Sequence, residues 1–193
     1  MSCPLRYLDR AAIREGFGML AAELAAHHLI GSVYLFGGGA MVMAFDDREA
    51  TRDLDARLMG DMQGAIAAVA GRMAWPRSWL DEQSTVHLLR SEERHPTAIF
   101  DHPNLRVLRV SDRHVLAMKA AAARGALDLD DLRRLVRHLD LRSPDEAVAI
   151  HATVFPDDPL GRRRLAVIAA AFPPIEGRSS VCGQAGPSGP AEA

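Results

Sequence analysis

At 193 residues, a quarter of them charged and with a formal net charge of −2, the chain has the length of one domain with a full apolar core. That balance excludes bulk electrostatic attraction to nucleic acid or to an anionic membrane, though not a local basic patch. No apolar run reaches membrane length, no signal peptide is evident, and Cys3 and Cys182 lie near opposite ends without metal or redox spacing. A reducing cytoplasm and no membrane are therefore expected.

In chain order, Asp9 is an N-cap candidate for a helix over residues 9–28. Ala12, Ile13, Phe17, Leu20, Leu24 and His28 recur there at three- and four-residue steps. His27 and His28 are adjacent, diverge on a helix and read as structural. Gly31-Ser32 predicts a turn into a buried strand at 33–36, and Gly37-Gly38-Gly39 follows. An unbroken apolar segment, Ala40 to Phe45, predicts a helix starting at Gly39 or Ala40. The charged turn Asp46-Asp47-Arg48-Glu49 then leads into Arg52-Asp53-Leu54-Asp55-Ala56-Arg57-Leu58. This last piece alternates as a strand does, placing Asp53 and Asp55 on one face and Leu54 and Ala56 on the other.

An Ala-rich helix is expected over 61–73, stopped before Pro76, with Trp75 and Trp79 read as core. Short strands are expected at 85–89 and 97–100 around a polar loop at 90–96, and a better one at 105–110. Asp81 and Asp101 are expected in loops. Ser111-Asp112 caps a helix over 113–124 that carries Lys119 and ends at Gly125; of the 23 basic residues Lys119 alone is a lysine. Further helices are expected at 128–138, from the Ser143 cap with Glu146 three residues on to before Pro156, and from Asp158-Pro159 to about 171. Arg162-Arg163-Arg164 reads as a solvated helix face. From Pro173 onward Pro, Gly and Ser dominate, which predicts a disordered tail. The organisation is one unit over 1–140, a helical extension over 141–172 and a tail over 173–193.

The chemistry concentrates at residues 37–55. Two carboxylates on one strand face repel, and a divalent cation offsets that. Mg²⁺ takes one or two carboxylates together with substrate phosphates. Glycines let a backbone approach a ligand closely, and a helix N-terminus directs N–H groups at an anion. Strand, glycine turn, helix and a strand bearing Asp53-Leu54-Asp55 together read as a triphosphate cradle facing a metal site.

Gly38-Gly39, thirteen residues, then Asp53-Leu54-Asp55 resembles the signature of the nucleotidyltransferase superfamily, the polymerase-β-like fold. The closer likeness is to its small bacterial branch of AbiEii-type and MenT-type toxins, through Ala40, Arg48, Glu49 and Thr51. Leu116-Ala117-Met118-Lys119, Arg124 and Asp128-Leu129-Asp130-Asp131-Leu132 follow in that branch's order. The two blocks cover most of residues 30–140. The resemblance implies an α/β (α+β) fold with a small mixed sheet flanked by helices. It implies Mg²⁺ on Asp53 and Asp55, an NTP held by Gly38, Gly39, Arg52 and Lys119, and Lys119 as a catalytic cation. The activity implied is transfer of an NMP to a tRNA or protein acceptor, as the toxin of a pair with a cognate antitoxin. Two departures stand out: strand 105–110 carries Arg106 and Arg109 and no third carboxylate, and Gly39 stands where serine is common. They support an alternative, a catalytically inactive member of the fold that binds a nucleotide or a protein partner.

Overall fold

The computed structural model describes residues 7–82, 96–123 and 126–173. Their architecture is mixed α/β, with seven α-helices, a five-stranded sheet and a two-stranded ribbon. The strands are β1 (Leu8–Asp9), β2 (Gly31–Leu35), β3 (Ala50–Thr51), β4 (Leu54–Met59), β5 (Leu80–Asp81), β6 (Thr97–His102) and β7 (Leu105–Arg109). The helices are α1 (Arg10–Ala26), α2 (Gly37–Ala44), α3 (Gln63–Met73), α4 (Asp112–Ala122), α5 (Ala126–His138), α6 (Pro144–Val154) and α7 (Arg162–Ala170).

The large sheet has the order β5-β4-β2-β7-β6. The central β2 pairs antiparallel with β4 and parallel with β7, β4 pairs parallel with β5, and β6 is antiparallel to β7. Alternation decides the faces. Val33, Leu35, Leu54, Ala56, Leu105 and Val107 are all fully buried, and they form one core with Phe17, Leu20 and Leu24 of α1 and Ile66 and Val69 of α3. Trp79 closes this core beside Phe17 and Trp75, its indole N–H donating to the Ile66 carbonyl at 3.2 Å. The residues between them on the strands, such as Asp55 and Arg57, face away from it. A second core joins Phe36 and Met41 to Leu116, Leu132, Leu135, Ile150 and Ile168, so that α4 packs on α2 and α5 to α7 pack around α4.

Local sequence accounts for the helix starts. Asp9 Oδ1 accepts from the Ala12 N–H at 2.8 Å, and the Ser111 and Ser143 hydroxyls accept from the N–H groups of His114 and Glu146. Several expectations need correction. Gly31 and Ser32 belong to β2 and not to a turn, because the strand pairs with β7 from Gly31↔Leu105 onward. The Met62 side chain fills the space a Cβ on Gly31 would need. Helix α2 begins at Gly37 and not at Gly39 or Ala40. Helix α7 begins at Arg162 and not at Asp158, in keeping with the bias of a pre-proline residue away from the helical region. Asp81 and Asp101 lie in strands β5 and β6 and not in loops. Expected strand 85–89, most of loop 90–96, the Arg124-Gly125 helix end and nearly all of the tail fall outside the described residues.

The helical layer contains a buried titratable group. His151 of α6 is 2% exposed, and its Nε2 has no hydrogen-bond partner among the described residues. Its ring lies 5.5 Å from that of Phe155, whose other neighbour is the buried His114. Burial lowers the His151 pKa from its ordinary value, with Asp158 opposing and Arg164 reinforcing the shift. The unfolded chain therefore takes up a proton near pH 6.5 that the folded chain declines until lower pH. The corresponding stability is fully present above about pH 6.5 and is lost as pH falls below it. Thermal melts from pH 7.5 to 5.5 should show a shallower fall in Tm for His151→Leu than for the wild type. Parallel curves would refute this assignment.

Candidate functional site

The glycine turn sits where β2 ends and α2 begins, against the start of β4. Phe36 donates its N–H to the Asp55 carbonyl at 3.0 Å, which docks the turn on the strand. Gly37 has φ +59°, in the left-handed region that favours glycine. Each glycine of the turn has its own neighbour. A Cβ on Gly37 would lie 2.6 Å from Asp55 Oδ2, one on Gly38 2.5 Å from Thr51 Oγ1, and one on Gly39 2.7 Å from Leu54 Cδ2. All three are under the 3.0 Å that real Cβ atoms keep, so a side chain at any of these positions would displace the neighbouring side chain, and Gly37 is further favoured by its positive φ. The first backbone bond within this helix runs from the Ala40 N–H to the Phe36 carbonyl. The N–H groups of Gly37, Gly38 and Gly39 thus have no partner within the helix.

The structure brings Gly37, Gly38, Gly39 and Asp55 together. Asp55 lies in β4 with its carboxylate at the turn. Asp53 precedes the strand and is exposed, and its carbonyl accepts from Thr51 Oγ1 at 3.1 Å. Arg52, the residue before it, carries its guanidinium 5.9 Å from the centre of the Tyr7 ring. Thr51 itself is buried and pairs with Leu8 in the small ribbon.

Asp81 is the residue that sequence reasoning could not place. Strand β5 runs parallel to β4 with Leu54↔Leu80 and Asp55↔Asp81 in register. Leu54 and Leu80 are buried in the core, so the two aspartates share the opposite face. Neighbouring strands lie about 4.8 Å apart, so Asp81 is the cross-strand neighbour of Asp55. The only sequence signal was the apolar–acidic step Leu80-Asp81 after Trp79, too short to define a strand. Asp101 belongs to β6 at the other edge of the sheet, three strands from β4. Among the described residues no group of three His, Cys, Asp or Glu side chains is close enough to hold a metal ion.

Lys119 is placed elsewhere. Its Nζ lies 3.0 Å from Asp128 Oδ1 and 2.8 Å from Asp131 Oδ2, with Asp131 fully buried. Arg48 joins from the loop after α2, its Nε 3.3 Å from Asp131 Oδ1. The same loop is tied by Asp47 to Arg134 at 2.9 Å and by Asp46 to Arg10, which also donates to the Val42 carbonyl. The Phe45 ring stands edge-on to His138. The lysine of this chain therefore braces helices α4 and α5 to the loop that joins the glycine turn to the aspartates. Arg109, next to Leu35 in register, is held by Asp112 at 2.6 Å, whereas Arg106 is exposed.

No protein family matches the chain, and no curated protein and no solved structure matches it.

Asp131 is the group most sensitive to loss of its partners, because a buried carboxylate stripped of a cation keeps its desolvation cost. Lys119→Met should lower stability by about 3 kcal/mol in urea unfolding. Asp53→Ala, at an exposed position, should change it by less than about 0.5 kcal/mol. Equal effects of the two substitutions would contradict this assignment of Lys119.

Proposed function

We propose that this protein is a Mg²⁺-dependent nucleotidyltransferase that moves an NMP from an NTP to a hydroxyl of an RNA, with tRNA the first candidate, or of a protein. The observation that carries this reading is the contact of the Asp55 carboxylate with Gly37 at the N-terminus of α2. It sets the Asp55 carboxylate against an anion-binding backbone within one strand–helix–strand unit, two residues after Asp53.

The donor set fits a hard divalent cation. Asp53 and Asp55 offer carboxylate oxygens, and the like charges of Asp55 and Asp81 in register are a liability that a cation relieves. With two protein carboxylates, the remaining ligands would come from phosphate oxygens and water. When bound, Mg²⁺ would supply charge neutralisation for the triphosphate. The N–H groups of Gly37, Gly38 and Gly39 grip phosphate oxygens and orient the chain of phosphates. Arg52, beside Asp53, adds a fixed positive charge. Asp81 accepts the proton of the acceptor hydroxyl as its oxygen bonds to the α-phosphorus and the bond to the pyrophosphate leaving group breaks. The resemblance to the toxin branch makes a cognate antitoxin the expected protein partner.

The ion pairs of Lys119 with Asp128 and Asp131 favour a second reading, nucleotide binding without turnover, because they leave that cation little charge to offer phosphate. One assay separates the two. Purified protein with MgCl₂ and α-labelled NTPs should label total tRNA or protein, and Asp53→Ala or Asp55→Ala should reduce transfer on the order of 10²-fold or more. Asp81→Asn should reduce it while leaving Mg²⁺-dependent NTP binding in place. Absence of labelled product, with NTP raising Tm only when Mg²⁺ is present, would replace catalysis with binding. Absence of both effects would remove the nucleotide altogether.

A further inference from the structure

Tyr7 stands immediately ahead of β1 and is 58% exposed. Single exposed aromatics are common and carry no message of their own. The position of this one does. Pairing of Leu8 with Thr51 fixes the segment beside β3, and Thr51 touches both sides of the site. Its hydroxyl donates to the Asp53 carbonyl and occupies the space a Gly38 side chain would take. The Arg52 guanidinium lies over the Tyr7 ring at 5.9 Å, within cation–π range. A flat aromatic surface with a cation fixed beside it is thus held within a residue or two of both the acidic pair and the glycine turn.

We propose that Tyr7 and Arg52 form the platform on which the nucleobase of a bound nucleoside triphosphate stacks. The proposal rests on the reading of residues 37–39, Asp53 and Asp55 as the phosphate and metal end of the same site. Phosphates and base make different chemical demands, and the glycine turn with Asp53 and Asp55 meets only the first. Hydrogen-bond donors and carboxylates hold the triphosphate, but they offer nothing to an uncharged heteroaromatic ring. Tyr7 does, and Arg52 serves as the hinge between the two ends, adjacent to Asp53 in sequence and over the ring in space. Stacking does not select an edge pattern, since every base has a π-face. The platform therefore binds all four nucleotides, with purines favoured by their larger ring area.

Calorimetric titrations at saturating MgCl₂ with ATP, with CTP and with inorganic triphosphate test the idea on the full chain. Wild type should bind ATP about tenfold more tightly than inorganic triphosphate, with CTP between them. Tyr7→Ala should bring ATP down to the level of inorganic triphosphate and leave inorganic triphosphate unchanged, whereas Tyr7→Phe should keep the ATP advantage. If Tyr7→Ala leaves ATP affinity intact, or weakens ATP and inorganic triphosphate alike, the platform is wrong. If inorganic triphosphate binds and ATP gains nothing over it, the platform falls while the phosphate cradle stands. If neither binds, both fall together.

Discussion

The structure depends on how closely the chain lets a turn approach a strand. Gly37, Gly38 and Gly39 lie against Asp55, Thr51 and Leu54, and none of the three positions has room for a Cβ without displacing its neighbour. The amide of Phe36 holds the contact by donating to the Asp55 carbonyl. Everything at the site follows from that apposition. It sets a carboxylate beside backbone N–H groups, and it brings Thr51 and the ribbon that carries Tyr7 to the same edge. Helix α2 then serves both cores, Val42 and Met43 on the sheet side and Ala40 and Met41 on the helical side. The glycines act through absence of bulk at all three positions, and through backbone freedom at Gly37, whose φ is positive.

A second constraint is electrostatic and lies behind the first. The loop from Phe45 to Glu49 connects the glycine helix to the aspartates, and a loop of this composition would otherwise be free to wander. Instead Asp46, Asp47 and Arg48 are paired with Arg10, Arg134 and Asp131, reaching α1 on one side and α5 on the other. The exposed pairs contribute little each. The buried Asp131, between Arg48 and Lys119, is different in kind, because an isolated carboxylate at that depth would be prohibitively costly. Its burial commits the two cations to it and so ties the helical layer to the loop.

What was legible in the sequence was whatever depends on neighbours in the chain. Helix α1 and its Asp9 cap, the burial of Leu54 and Ala56 against the outward Asp55, the tryptophan core and the Ser143 cap all follow from short-range periodicity and side-chain chemistry. The mixed α/β class followed from the same patterns. What was not legible depends on pairing across long separations. No local signal says that Leu80-Asp81 adds a parallel edge to β4, since two residues carry no period. Nor does the apolar face of α4 say whether Lys119 points to solvent, to phosphate or to a pair of aspartates nine and twelve residues on. Its ammonium goes where the carboxylates of α5 are, a tertiary fact.

These two constraints together bear on how the site divides its labour. In a site built from one lysine and two acids, the cation serves the phosphates. In the proposed site Lys119 is held by Asp128 and Asp131, so the positive charge near Asp53 and Asp55 would come from Arg52 and backbone amides. Guanidinium and amide are donors of fixed geometry, less mobile than an ammonium on a four-carbon stem. A site of the proposed kind would give up reach and gain order, with its donors positioned before any ligand arrives. The glycine turn is positioned by close contact, Arg52 by the strand start and the Tyr7 ring, and the connecting loop by its three ion pairs. The short β5 with Asp81 joins the edge of the sheet through two register positions and is anchored in the core by Leu80 and the preceding Trp79.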